Sequence, residues 1–124
     1  MDATQPNHNQ KGKTMIQGTI AAIEEKIKGA DSLDDGSRSE LLSLVSELRT
    51  EVTGLSATHS EHAESIAGFT ALSAHEATRQ KKNPRLLTLA LEGLASSVKG
   101  FEATHPRLVQ TVNSICDTLA NMGI

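Results

Sequence analysis

The sequence predicts an all-α fold: an antiparallel helical bundle of four to five short amphipathic helices, expected to be oligomeric. Three observations lead there. Apolar residues recur at alternating steps of four and three through most of the chain, the spacing that lines one face of a helix. No segment alternates apolar and polar residues as a half-buried strand would, and no Asn-Gly turn pair occurs. Four segments together carry nineteen apolar seam positions without one charged intruder. Seams of that spacing favour near-antiparallel packing at about 20°.

The 124-residue chain is one domain. It divides into a flexible N-terminal tail over 1–13 and a bundle over 14–124. Residues 1–14 hold no apolar run, so they are no signal peptide. Whether Met15 is the start or the first fourteen residues are a native tail, a mobile terminus is expected. The first helix is expected over 15–28, with Ile16, Ile20, Ile23 and Ile27 on one stripe and Gly29 as its stop. Ser37 and Glu40 form a capping-box pattern that opens a second helix over 37–55, with Leu41, Val45, Leu48, Val52 and Leu55 on its seam.

A third helix is expected over 60–81 with Ser60 as cap. Ala63, Ala67, Ala71 and Ala74 form a ridge of small side chains there, and Ile66, Phe69 and Leu72 are its large apolar residues. Alanine favours helix but buries little area, so this helix either packs closely or sits at the edge. Asn83-Pro84 restarts the helix, with Asn as cap and Pro at the first position. The fourth helix, 84–102, then carries Leu87, Leu91, Leu94, Val98 and Phe101. His105-Pro106 interrupts the pattern, and the fifth helix, 106–122, carries Leu108, Val112, Ile115, Leu119 and Met122.

These seams offset only part of the entropy of ordering the chain, and no disulfide or metal staple is visible. Apolar surface buried between chains is the remaining device, so a homodimer or higher oligomer is expected. The expected core or self-association residues are Ile20, Ile23, Leu41, Val45, Leu48, Leu91, Leu94, Val98, Phe101, Leu108, Val112, Ile115, Leu119 and Met122.

Composition narrows the function. Aromatic residues make up 2% of the chain, which argues against a surface rich in aromatic anchors and against base stacking. A net charge of −3 makes nucleic acid an unfavoured partner. No apolar run reaches the length of a membrane span. With one cysteine, no intramolecular disulfide forms. A cytoplasmic protein of bacterial type is the simplest reading.

The segment Phe101-Glu102-Ala103-Thr104-His105-Pro106-Arg107-Leu108 and the end Asn121-Met122-Gly123-Ile124 resemble a family of small bacterial proteins known only as a domain of unknown function. Its members carry Phe-Glu-x-x-His-Pro-x-Leu and a closing Asn-x-Gly-Ile. Ser32-Leu33-Asp34-Asp35-Gly36-Ser37-Arg38 is similar to the family's interhelical loop. The resemblance covers roughly 15–55 and 86–124, while 56–85 looks longer than the family's middle segment, as if the Ala-rich helix were an addition. It implies an all-helical cytosolic protein and brings no activity or catalytic residues.

No grouping announces catalysis, and no cofactor is expected. At the tail motif, His105 before Pro106 can cap the last helix, with Glu102 in reach of His105 or Arg107. That corner is either structural or, with Phe101 and the 121–124 end, a docking surface for an unidentified protein partner. His59-x-x-His62, with His75 further on and Glu61, Glu64 and Glu76 nearby, is the metal candidate, set against a solvent-exposed polar face. Cys116 lies beside the last seam and reads as a small buried hydrophobe. Gly12-Lys13-Thr14 lacks the upstream glycine and strand of a phosphate loop. Arg79, Lys81, Lys82 and Arg85 make a basic corner at 79–85, either a solvated helix end or a contact for an acidic partner. The leading reading is a non-enzymatic, self-associating interaction or structural module. The alternatives are a metal- or ligand-binding bundle and a weak nucleic-acid associate.

Overall fold

A computed structural model describes residues 8–122, with side chains over 15–122. It contains five helices, α1 (His8–Lys28), α2 (Asp35–Ser56), α3 (Ser60–Thr78), α4 (Pro84–Ser97) and α5 (Pro106–Met122), and no strand among the described residues. The fold is an all-α bundle, as the periodicity requires. Residues 1–7 and the Gly123-Ile124 end lie outside the described residues, and so do the side chains of Gly12-Lys13-Thr14.

The helices form two layers. In the first, α3 lies between α1 and α4; in the second, α2 and α5 pack side by side over them. α3 touches every other helix, while α1 and α4 do not meet. This settles the choice left open for the Ala-rich segment. Ala63, Ala67, Ala74 and Ala77 are buried together with Ile66, Thr70 and Ser73. Small side chains let four neighbours approach one central rod, so burial comes from close packing and not from side-chain bulk. α1 and α3 run the same way and α4 runs back, a register fixed by Lys26 beside His75 and by Phe69 against Gly93.

Of the nineteen seam residues, seventeen are buried and two, Leu91 and Met122, are half-buried against the core. One chain therefore uses up the seams by itself. The expectation that they would also be shared between copies loses its basis, and any association surface must lie elsewhere.

Several element ends differ from expectation, each for a physical reason. α1 begins at His8, so residues 8–13 are helical and not a tail. The apolar seam starts only at Ile16 and cannot signal the polar turns before it. α2 begins at Asp35 because Asp34, not Ser37, is the N-cap: its carboxylate accepts from the Ser37 N–H at 2.7 Å. α3 starts one residue after its cap position, which is His59 and not Ser60, and His59 makes no side-chain capping bond. It ends at Thr78, where Arg79 turns extended. Asn83 caps α4, accepting from Leu86 N–H at 3.2 Å, with Pro84 in the first turn.

α4 ends at Ser97, about a turn before Phe101. Gly100 takes a φ of +96°, a conformation that only glycine adopts freely. Short turns from Lys99 N–H to the Ser96 carbonyl and from Phe101 N–H to the Val98 carbonyl carry the stripe past the helix end. Val98 and Phe101 are therefore buried without being helical.

The α1–α2 corner is held by Arg38. Its guanidinium donates to the carbonyls of Ala30 (2.7 Å), Leu33 (3.1 Å) and Ile27 (3.4 Å) and pairs with Asp35 (3.0 Å). A planar fork with several N–H donors suits such a cluster of acceptors. Arg49 and Glu24 join the same two helices further along, at 2.6 Å.

Candidate association face

The five exposed large apolar residues of the described chain are Met15 (56% exposed), Phe69 (37%), Leu72 (45%), Leu86 (40%) and Leu89 (46%). All five belong to α1, α3 or α4, and α2 and α5 contribute none. Helical spacing places them on the outer side of that layer. Met15, Gly18, Ala22 and Lys26 follow one line along α1, and Lys26 Nζ reaches His75 Nδ1 on α3 at 3.4 Å. That line is the α3-facing shoulder of α1. On α4, Leu86, Leu89 and Gly93 share a line, and Gly93 meets Phe69. A Cβ built on Gly93 would collide with the Phe69 ring, so only glycine leaves the ring its seat. Phe69 and Leu72, one turn apart on α3, lie toward that α4 line.

The outer face thus carries an apolar strip of Phe69, Leu72, Leu86 and Leu89 over the α3–α4 seam. Beside it lies a shallower α1 edge of Gly18 and Ala22, both exposed. Large apolar side chains grouped on one exposed face make that face the candidate for contact with another surface. In the sequence Phe69 and Leu72 stand out as large apolar residues of the third helix, whereas Leu86 and Leu89 lie on no seam. The missed signal is that α4 opens Pro-Arg-Leu-Leu-Thr-Leu-Ala-Leu, too apolar for one stripe. A helix apolar beyond its core stripe needs a second neighbour.

The metal candidate does not assemble as expected. His75 stands beside Lys26 at the far end of α3 from His59 and His62. Instead, His59, His62 and His105 surround the buried Phe101 ring, each imidazole edge-on with centroids 5.4–5.5 Å away. His59 Nδ1 is hydrogen-bonded to the Thr58 hydroxyl at 2.8 Å, and His105 Nδ1 to that of Thr104 at 2.9 Å. No group of three or more His, Cys, Asp or Glu among the described residues is placed to hold a metal ion. Edge-to-face packing, about 0.5–1.5 kcal/mol per pair, fits a corner that ties the α2–α3 turn to the α4–α5 turn.

The tail motif is divided in the same way. The His105 carbonyl accepts from Val109 N–H at 3.3 Å, the first turn of α5 behind Pro106. Glu102 pairs with neither His105 nor Arg107 and accepts from Gly100 N–H at 2.9 Å. Phe101 and His105 lie at the N-terminal end of α5, and Asn121 and Met122 at its other end. A 17-residue helix spans about 25 Å, so these residues form no single docking surface. Asn121 and Met122 instead border a cleft of about 320 Å³ with Leu33, Asp34, Ser37 and Glu40.

At the basic corner, Arg79 is paired with the buried Glu76 carboxylate at 2.8 Å. Lys82 donates to the carbonyls of Ala77 (2.6 Å) and Met122 (3.4 Å), closing the ends of α3 and α5. Two of the four cations are thus occupied by the fold, which weakens the case for an anionic partner. Cys116 is half-buried, and burial, with Asp117 nearby, pushes its thiol up to about 11. It is a poor nucleophile at neutral pH. No helix among the described residues is long and apolar enough to cross a membrane.

No curated protein and no solved structure matches the chain. The matched family region begins at Phe69 and excludes residues 15–55, where the resemblance had been expected to extend. It includes the second half of α3. Residues 69–124, which carry Phe69, Leu72, Leu86 and Leu89, match the family described as Domain of unknown function (DUF4404).

Proposed function

We propose that this chain is a non-enzymatic helical module that works by self-association through the outer face of the α1–α3–α4 layer. The observation that carries this reading is that every exposed large apolar residue of the described chain belongs to that layer, while the core seams are already closed within one chain. Burying apolar area contributes about 25 cal/mol per Å², and these side chains are the ones still offered to water. A cytoplasmic site of action fits a chain with one half-buried thiol. The histidine corner is engaged in holding helix ends together, and so are Arg79 and Lys82 of the basic corner.

Sedimentation equilibrium over a wide concentration range tests the reading. The wild-type chain is expected as a dimer or larger species, and a Leu72→Glu, Leu89→Lys double variant as a 13.2 kDa monomer with unchanged helix content. Both substituted side chains are exposed, so the fold does not depend on them. A wild-type chain that stays monomeric at the highest concentrations would contradict the proposal.

A further inference from the structure

We draw no further inference here: the strongest candidate, the open cleft between the C-terminal ends of α1 and α3 bordered by Lys26, His75 and Arg79, points to no ligand, because Lys26 meets His75, Arg79 is held by the buried Glu76, and basic side chains at two helix C-termini complement the helix dipoles there.

Discussion

Gly93 and Phe69 act as a pair. An alanine in a helix interior is ordinarily better than glycine by about 1 kcal/mol, yet at position 93 its Cβ would strike the Phe69 ring. Phe69 is partly exposed and can swing outward, exchanging lost ring packing for gained helix propensity. A double-mutant cycle separates these effects. Gly93→Ala is expected to stabilise a Phe69→Ala chain by about 1 kcal/mol, and to leave the wild-type chain unchanged or less stable. Urea unfolding measures both, and equal effects in the two backgrounds would show that the ring does not occupy the seat. Such pairs are invisible in sequence, because the partner of Gly93 lies 24 positions away and is chosen by the fold. The same holds for Arg38, whose acceptors are carbonyls of Ile27, Ala30 and Leu33 rather than side chains.

Helices were legible where a seam ran through them and illegible at their ends. Ile16 to Ile27 and Leu108 to Leu119 mark their helices because one face of each must leave water. The polar turns before Ile16 carry no such mark, and Val98 and Phe101 keep the helical spacing although the backbone turns at Gly100. The choice between Asp34 and Ser37 as cap was equally hidden, since both residue types cap well. The structure gives it to Asp34, whose carboxyl is held below the usual range by the Ser37 backbone N–H first and the Ser37 side chain next. A carboxyl lowered in the folded state contributes stability above its ordinary value near 3.8, and that contribution is lost as pH falls through the lower folded value. Asp34→Ala is therefore expected to lower the melting temperature at pH 7. The gap from wild type should narrow as pH falls below the ordinary value near 3.8 and on through the lower folded value, where the Asp34 carboxylate of the wild-type chain takes up its proton. A gap that persists unchanged at pH 2 would mean that the carboxylate is not the source of the cap.

At the scale of the molecule, the bundle class followed from periodicity alone, but the layer order did not. Nothing in the local pattern distinguishes a central Ala-rich helix from one at the edge. Only the three-dimensional packing shows that α3 touches all four others. The candidate face escaped for a related reason. Core seams show in the sequence as unbroken stripes, whereas Met15, Phe69, Leu72, Leu86 and Leu89 lie beside those stripes on three helices and share one layer only after folding. The histidines show the converse error: proximity in sequence joined His59 and His62 correctly, but the third member at that corner is His105 and not His75.

The central claim is that the outer face of α1, α3 and α4 is covered by another copy of the chain. Backbone amide spectra recorded at rising protein concentration test it most directly. The account predicts shifts and broadening concentrated on exposed positions such as Gly18, Ala22, Gly68, Leu72 and Leu89, with the exposed residues of α2 and α5 unmoved. Spectra independent of concentration, or changes centred on Ser46 and Asn113 on the opposite layer, would contradict it.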